Sequence, residues 1–155
     1  MKIRRYTDSD FKTVSFLFYD TIHTVNVNDY TPKQLSAWAP NPNCLTRRRN
    51  DLLNQNTLVA EIEDTIVGFG SINQSGCFDL LFVHKEYQRR GIATALCNEL
   101  EHGFSVIQTF ASLTAKPFFE QRGYHVIKAQ EAERSGIKLK NYEMRKINFK
   151  QTTAE

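Results

Sequence analysis

The fold is decided by the stretch Gln88-Arg89-Arg90-Gly91-Ile92-Ala93, which directly follows an apolar run at residues 78–83. The apolar run predicts a buried strand, and the apolar positions Ile92, Leu96 and Leu100 predict one stripe of a helix. A helix that begins directly after a short polar turn leaves its first backbone N–H groups unpaired, at the positive end of the helix dipole. Such groups suit a phosphate or a pyrophosphate.

The composition is that of an ordinary globular protein. A length of 155 residues fits one domain, and we expect it to span residues 1–149, with a polar tail at 150–155. The balance of 20 basic against 17 acidic residues gives a formal charge of +3. This charge is too small to indicate nucleic acid. A basic nucleic-acid-binding domain built on Arg47–Arg49 and Arg89–Arg90 is therefore the weakest of three hypotheses about the function.

The cysteines and the apolar runs bear on where the protein works. Cys44, Cys77 and Cys97 are widely spaced and form no C-x-x-C pair, which disfavours a disulfide framework or a zinc site and favours a reducing cytoplasm. The first residues lack the apolar core of a signal peptide. No run approaches the ~18 apolar residues of a membrane span, so we expect no membrane partner.

The hydrophobic period alternates between helix and strand along the chain, and the order predicts an α+β fold with a central mixed sheet. We expect Gln130 to Asn141 to be a charged, flexible connection, and Arg47-Arg48-Arg49 to be a solvated helix face. Predicted helices cover residues 11–25, 32–38, 92–104 and 114–122, with a short one within 46–54. Predicted strands cover 2–6, 57–62, 65–72, 78–83, 105–111, 124–129 and 142–147.

The hexapeptide at 88–93 resembles the Q/R-x-x-G-x-G/A signature of the GNAT superfamily of N-acetyltransferases. A second segment, Ser112 to Tyr124, is similar to that family's N-x-x-A-x-x-x-Y-E-x-x-G-[FY] motif. Residues 30–38 and 114–120 resemble the small bacterial members of the YafP type. The resemblance covers most of the chain and implies the GNAT fold, a mostly antiparallel mixed sheet of about seven strands with about four helices.

The resemblance implies that acetyl-CoA binds at this turn and that CoA is a product. The pyrophosphate would lie on the backbone amides from Arg89 to Thr94, with charge from Arg89 and Arg90. The pantetheine arm would run along the end of the preceding strand, which would splay from the strand at 106–111, and the N–H of Leu81 would face the acetyl oxygen. The predicted cofactor-binding residues are Leu81, Phe82, Val83, Gln88, Arg89, Arg90, Gly91, Ile92, Ala93, Thr94, Ser112, Ala115, Phe118 and Phe119.

Two residues depart from the pattern of the family, and both concern the chemistry. Phe119 stands where many relatives carry a tyrosine that is thought to protonate the leaving thiolate, and Ser112 stands at the asparagine position. Tyr142, Tyr124 and Tyr87 are substitute acids, with Tyr142 preferred, and a reaction without a dedicated acid is also reasonable. As the base, or as a group that orients an ammonium, we predict Asp79, because a carboxylate inside an apolar strand is costly unless it is solvated, paired or used.

The acceptor is expected to be an amine of a small molecule or a peptide, attacked directly without an acyl-enzyme. The predicted walls of its pocket are Tyr19, His23, Tyr30 and Trp38. The competing hypothesis is a non-catalytic acetyl-CoA-binding sensor or interaction module, which Phe119 favours. A homodimer is a possible assembly. The histidines have no ligand spacing with the cysteines, so no metal is expected.

Overall fold

The computed structural model describes residues 1–148, so the predicted domain boundary at Phe149 and the tail at 150–155 lie outside the described residues. In this part of the chain the elements alternate as the sequence predicts. They are β1 (Lys2–Arg5), α1 (Phe11–Thr24), α2 (Pro32–Trp38), α3 (Arg49–Asn54), β2 (Asn56–Ile62), β3 (Thr65–Ile72), β4 (Cys77–Val83), α4 (Ile92–Leu100), β5 (Val106–Ser112), α5 (Lys116–Gln121), β6 (His125–Arg134) and β7 (Ile137–Ile147).

The strands form one sheet in the order β1-β2-β3-β4-β5-β7-β6. Every described strand pair is antiparallel except β4 with β5, which are parallel. The predicted mixed, mostly antiparallel sheet of seven strands is therefore confirmed, and it carries five helices of the α type in residues 1–148. The parallel pair lies at the centre of the sheet, between two antiparallel halves.

Two apolar clusters cover the two faces of the sheet. On one face α1 buries Val14, Phe18 and Ile22, whose spacing of four residues is that of one helix stripe, against Phe69 and other strand residues. On the other face α4 and α5 pack against the sheet through Leu96, Leu100 and Phe119. The helix α4, which follows the turn at residues 88–91, is thus held against the sheet along its whole length.

The second helix begins at a capping box. The Thr31 hydroxyl accepts a hydrogen bond from the Gln34 N–H at 3.2 Å, and the Gln34 side chain accepts one from the Thr31 N–H at 2.9 Å. Pro32 occupies the first turn, where its missing N–H costs nothing. The predicted start of this helix is confirmed.

The prediction that Gln130 to Asn141 is a flexible connection is wrong. These residues form the long hairpin of β6 and β7, whose turn is Ser135-Gly136 with φ of +50° and +77°. Two central residues with positive φ make the turn type that suits the twist of a hairpin. Contacts with α2 hold the hairpin, because the Gln34 side chain donates to the Lys138 carbonyl at 3.0 Å.

The helix α4 is shorter than predicted. It ends at Leu100 rather than near residue 104, and Gly103 in the following turn has a φ of +93°. Apolar spacing alone does not mark this end, because Phe104 continues the stripe while packing beyond the helix. The structure also contains, among residues 1–148, no helix with both the length and the apolar character needed to cross a bilayer.

Candidate active site

A groove opens where β4 and β5 separate. The two strands pair at Cys77 with Gln108 and at Phe78 with Thr109, and within residues 1–148 β4 has no other partner on that side. The predicted splay of these strands is confirmed. The groove has a volume of about 2050 Å³, above the roughly 300–1,000 Å³ of most ligand pockets, and has room for two reactants.

The groove has two halves, which differ in what lines them. The α4 half is lined by the end of β4, the turn at residues 88–91, the first turn of α4, and by β5 and α5. The hairpin half is lined by α1, α2, the segment before α3, and the β6–β7 hairpin. Lining residues of the hairpin half include Thr21, Asn26, Tyr30, Trp38, Arg47, Arg48, Asp79, Arg134, Leu139 and Asn141.

The turn at residues 88–91 and the first turn of α4 leave backbone N–H groups unpaired in the α4 half. Arg89 and Gly91 have φ of +62° and +80°, and Gly91 caps α4 without a side chain. The first N–H that bonds inside the helix is that of Ala95, to the Gly91 carbonyl at 3.0 Å. The N–H groups of Ile92 to Thr94 therefore have no acceptor within the helix. Among residues 1–148, a Cβ placed on Gly91 would meet no atom within 4 Å, so the space beside this glycine is open.

The side chains of the turn divide between holding it and facing the groove. The Gln88 amide donates to the Val83 carbonyl at 2.5 Å and holds the turn against the end of β4. Arg89 lines the groove and is exposed. Arg90 does not line it, and its guanidinium lies over the Tyr87 ring at 5.0 Å from the ring centroid.

Thirteen of the fourteen residues predicted to bind the cofactor line this groove, and the exception is Arg90. Ser112, which stands at the asparagine position of the second motif, accepts a hydrogen bond from the Ala115 N–H at 3.0 Å. Its hydroxyl thereby closes the turn between β5 and α5. The two motifs, distant in sequence, form opposite walls of the same half.

Asp79 lies at a β-bulge of β4. Ile72 pairs with Phe78 and Ser71 pairs with Leu80, so Asp79 is an extra residue on its strand. The bulge turns Phe78 and Leu80 to opposite faces of the sheet, although they are two residues apart.

The carboxylate of Asp79 forms an ion pair with Arg48, in the turn just before α3. The side chain of Arg48 is 35% exposed and that of Asp79 is 28% exposed. The prediction that Arg47-Arg48-Arg49 is a solvated face is thus wrong for Arg48. Arg49 is exposed as predicted, and it binds Asp8 at 2.8 Å and lies over the Phe11 ring at 4.3 Å from the ring centroid.

Comparison with known proteins identifies the family. The family model described as an acetyltransferase (GNAT) domain matches residues 26–146. The chain belongs to the GNAT acetyltransferase family. It is 37% identical over 145 residues to the uncharacterized N-acetyltransferase YafP of Escherichia coli K12, an alignment that covers 94% of this chain and 95% of that protein.

Solved structures agree with the fold of this GNAT domain. A GCN5-related N-acetyltransferase from Rhodopseudomonas palustris superposes with a TM-score of 0.90 at 29% identity, over 95% of both chains. The PaiA N-acetyltransferase from Thermoplasma acidophilum, solved in complex with coenzyme A, superposes with a TM-score of 0.75 at 16% identity. That alignment covers 95% of this chain and 98% of the other.

Of the four residues predicted to wall the acceptor pocket of the GNAT domain, two line the groove. Tyr30 and Trp38 lie in the hairpin half with ring centroids 5.5 Å apart. Tyr19 and His23 do not line it; their rings are in contact at 4.5 Å, and the His23 Nε2 bonds the Ala39 carbonyl at 2.7 Å. These two side chains support the packing of α1 against the end of α2.

Tyr30 connects three segments of the GNAT domain. Its hydroxyl donates to the Lys140 carbonyl on β7 at 2.7 Å and accepts from the Leu113 N–H after β5 at 2.9 Å. Burial raises the pKa of this phenol, which the Leu113 hydrogen bond partly offsets. The hydroxyl is fully engaged, and it ties the segment before α2 to β7 and to the residues after β5.

The residues considered as acids lie in different environments. Phe119 is buried among Phe78, Phe118 and Tyr124, with ring centroids 6.1, 5.3 and 4.9 Å away. Tyr124 donates its hydroxyl to Glu101 at 2.7 Å. Tyr142 lies in the middle of β7 between the ammonium groups of Lys116 and Lys140, outside the groove lining. Its role as an acid stays a prediction.

The far end of α4 is fixed by a buried carboxylate. Glu101 is 4% exposed and accepts hydrogen bonds from Arg122 at 2.8 Å, Tyr124 at 2.7 Å and Lys146 at 3.0 Å. Burial alone would raise the pKa of Glu101, but these three donors outweigh it and the pKa is lowered. This end of α4 is thereby tied to α5 and β7, opposite the groove.

The cysteines of the GNAT domain are free thiols. Cys44 and Cys77 line the groove, and burial raises the pKa of both. Cys97 is buried in α4, where burial raises its pKa to about 12. Within residues 1–148 no three His, Cys, Asp or Glu side chains cluster as a metal site would require.

Sequence reasoning missed the arginines of the hairpin half. Arg48 and Arg134 line it, and Arg134 ends β6 next to the hairpin turn. The Ser135-Gly136 pair between the alternating residues of 130–134 and 137–141 is a hairpin signal that could have found this segment. No local pattern could have brought Arg134 together with Arg48, because only the sheet joins them.

Proposed function

We propose that this GNAT domain transfers the acetyl group of acetyl-CoA to a primary amine of a small molecule or a peptide. The observation that carries the proposal is the separation of β4 from β5 beyond Phe78. It creates a slot that leads from the unpaired N–H groups of α4 to the Asp79 bulge. A two-substrate transfer needs such a slot, with an anion site at one end and space for an acceptor at the other.

The residues of the α4 half suit the parts of coenzyme A. The N–H groups of Ile92 to Thr94 and the exposed Arg89 suit the pyrophosphate. The unpaired edge of β4 from Leu81 to Val83 suits the amides of the pantetheine arm, and Phe118 offers it an apolar wall. Arg90, over the Tyr87 ring, would add charge only at longer range.

Acetyl-CoA supplies an acyl group activated as a thioester. In the transfer, the ammonium first gives one proton to water. The neutral amine nitrogen then forms a bond to the carbonyl carbon, the C–S bond breaks to release the thiolate, and the nitrogen gives a second proton to water. We propose that the Leu81 N–H donates to the carbonyl oxygen, which lowers the barrier as that oxygen gains charge. Asp79 would hold the acceptor as an ammonium and orient it, because its carboxylate lines the groove beside Arg48.

Direct attack, without an acyl-enzyme, agrees with the state of the thiols. The two cysteines in the groove have raised pKa values and are protonated at neutral pH, which makes them poor nucleophiles. The leaving thiol of coenzyme A has an ordinary pKa of about 8.5. It can therefore leave as the thiolate, and the absence of a hydroxyl at Phe119 is no obstacle.

A second function is favoured by Phe119 alone. A chain with a phenyl ring at the tyrosine position could bind acetyl-CoA as a sensor or an interaction module without catalysis. The two functions share the α4 half and differ in whether an acceptor reacts. We favour the enzyme because the groove continues past the thioester position into the hairpin half.

The test is incubation with acetyl-CoA and a panel of amines, with release of free thiol followed over time. Transfer predicts thiol release that depends on the amine and gives an N-acetylated product of the corresponding mass. Tight binding of acetyl-CoA by calorimetry, with slow hydrolysis and no acetylated amine, would establish the sensor instead. A chain that does not bind acetyl-CoA would exclude both.

We further propose that residues 1–149 act as one catalytic domain and that it works in a reducing compartment such as the cytoplasm. Free thiols at Cys44, Cys77 and Cys97 support a reducing environment. A homodimer stays a prediction, and sedimentation of the purified protein would test it.

A further inference from the structure

The hairpin half of the groove carries an excess of positive charge. Apart from Arg89 at the other end, its charged side chains are Asp79 and the guanidinium groups of Arg47, Arg48 and Arg134. Lys140 also contributes to the lining, but its ammonium lies over the Tyr142 ring, 5.5 Å from the ring centroid, and this ring is not part of the groove. One carboxylate therefore faces three guanidinium groups.

Two of these arginines have no carboxylate partner of their own. Among residues 1–148, Arg47 and Arg134 form no ion pair, and Arg134 donates only to the neighbouring Glu133 carbonyl at 3.1 Å. Burial lowers the pKa of Arg48, and the charge of Arg134 acts in the same direction. Arginine remains charged at neutral pH, so the repulsion between these two groups persists until an anion lies between them.

The ion pair with Asp79 leaves part of Arg48 available. The contact uses the Nη2 of Arg48 and the Oδ2 of Asp79. A guanidinium carries five N–H donors in a planar fork and binds carboxylate or phosphate oxygens in pairs. An anion on the remaining donors would lie within a few ångströms of an ammonium held by Asp79, because Arg48 touches both.

The hairpin half also has apolar walls, beside polar residues such as Thr21, Asn26 and Asn141. Phe18, Val25, Trp38 and Leu139 contribute to its walls. A polyamine would meet the excess of positive charge without compensation. A neutral amine with an apolar body would fill the walls but leave the arginines unpaired.

We propose that the acceptor is an amine that carries an oxyanion close to its nitrogen, with an apolar body, as in an amino acid or an aminophosphonate. Arg134 and Arg48 bind the oxyanion, Asp79 holds the ammonium, and the walls around Trp38 take the side chain. This inference rests on the proposed acetyl transfer, and it names the class of acceptor used at the same site.

The test uses four acceptors with one shared body: phenylalanine, phenylalaninamide, 2-phenylethylamine and 1-amino-2-phenylethylphosphonate. Charged hydrogen bonds of this kind correspond to about 10- to 100-fold in affinity. We expect kcat/KM for the carboxylate or the phosphonate to exceed that for the amide and the amine by about this factor. The oxyanion acceptor with the higher kcat/KM shows whether the natural acceptor is an amino acid or an aminophosphonate.

Arg134→Gln, a change at an exposed position, tests the role of the arginine. We expect it to lower kcat/KM about 10-fold or more for the oxyanion acceptors, mainly through KM, and to leave 2-phenylethylamine unchanged. The matched control is Lys138→Gln, which removes one positive charge from the same hairpin at a residue outside the groove. It should leave all four acceptors unchanged.

These experiments separate a failure of the inference about the acceptor from a failure of the proposed acetyl transfer. Equal rates for all four acceptors, or an equal loss for all four in Arg134→Gln, would overturn the inference and leave acetyl transfer standing. If no amine is acetylated although acetyl-CoA binds, the proposed function fails; calorimetry with CoA-loaded protein then decides the inference. Binding of phenylalanine or the phosphonate but not of 2-phenylethylamine would support it, and any other order would overturn it.

Discussion

The two halves of the groove are built in different ways. The α4 half uses backbone groups of consecutive residues, because the turn at 88–91 and the first turn of α4 supply its N–H donors. The hairpin half uses side chains from four separate segments, so that Arg48, Asp79 and Arg134 meet only in the folded sheet. A ligand common to a family can be bound by backbone geometry, whereas a ligand particular to one protein needs side chains that vary independently.

The halves also differ in how firmly they are held. The α4 half rests on a helix whose far end is fixed by the buried Glu101 with its three donors. The hairpin half is held by single contacts such as those of Tyr30 and Gln34 with β7. We therefore expect damage to the first half to appear in stability and in cofactor affinity, and damage to the second in acceptor kinetics.

The largest effect is expected for Glu101→Gln. It leaves Arg122 and Lys146 without their carboxylate, and loss of one partner from a buried ion pair costs about 3–5 kcal/mol in the free energy of unfolding. Because the pKa of Glu101 is lower in the folded chain than its ordinary 4.5, its contribution is present at neutral pH and is lost as the pH falls below that value. Urea unfolding of both proteins between pH 7 and pH 3 measures this.

The difference in the free energy of unfolding between the unchanged protein and Glu101→Gln should become smaller as the pH falls. Glu99→Gln, at an exposed position of the same helix, is the matched control and should change stability little. A constant difference at every pH would show that the hydrogen bonds of Glu101 do not depend on its charge.

The next effect is expected for Gly91→Ala, compared with Gly103→Ala. Both glycines have positive φ, and at neither would a Cβ meet a protein atom within 4 Å. Both changes should therefore cost a similar 1–2 kcal/mol, roughly, of backbone strain. Only Gly91 lines the groove, so only its variant should lose affinity for acetyl-CoA, by about 10- to 100-fold.

Calorimetry with acetyl-CoA at a temperature where both variants are folded makes this comparison. Equal affinities in the two variants would mean that the cofactor does not approach the turn. Acceptor selectivity, measured on the fraction that binds cofactor, should be the same in both.

A smaller effect is expected for Asp79→Asn. If Asp79 orients the ammonium, kcat/KM for the amine falls about 10-fold, mainly through KM, while the affinity for acetyl-CoA is kept. A general base would instead lower kcat by about 10²–10⁴. Steady-state kinetics separate the two roles, and Asp20→Asn, on α1 outside the groove, controls for the loss of one charge.

The smallest effect is expected for Tyr142→Phe. Its ring lies outside the groove lining, so kcat should remain within about twofold of the unchanged protein, whereas loss of a general acid predicts about 10²–10⁴. A loss of that size would establish Tyr142 as the acid that replaces the missing tyrosine at Phe119. The pH profile of kcat would then lose its alkaline limb.

Sequence reasoning found the α4 half almost completely and the hairpin half only in part, for a physical reason. The order of the strands, the capped start of α2 and the turn at Gly91 follow from local residue types, and a local pattern can be read without the fold. The bulge at Asp79 and the pairing of Asp79 with Arg48 depend on the register between β3 and β4 and on where the segment before α3 lies. No spacing along the chain encodes these.

The hairpin at 130–141 was predicted wrongly because its charged residues resemble a solvated loop. Its apolar residues are few, but Leu139 is buried. The pairing of β6 with β7 makes it a hairpin, and α2, from much earlier in the chain, donates a hydrogen bond to it. The same segment supplies Arg134, so one error concealed both a strand pair and one of the three arginines that line the hairpin half.

The hydroxyl of Tyr30 has a consequence for hydrogen exchange. The amide of Leu113 is bonded to this side chain rather than to a neighbouring strand, so its proton becomes exposed to solvent exchange whenever the ring moves away. Exchange at this single amide therefore reports how often the connection between α1 and α2 lifts from the sheet, a local opening much smaller than unfolding. Protection of the Leu113 amide that rises with an acceptor but not with acetyl-CoA alone would show that the second substrate closes its own half of the groove.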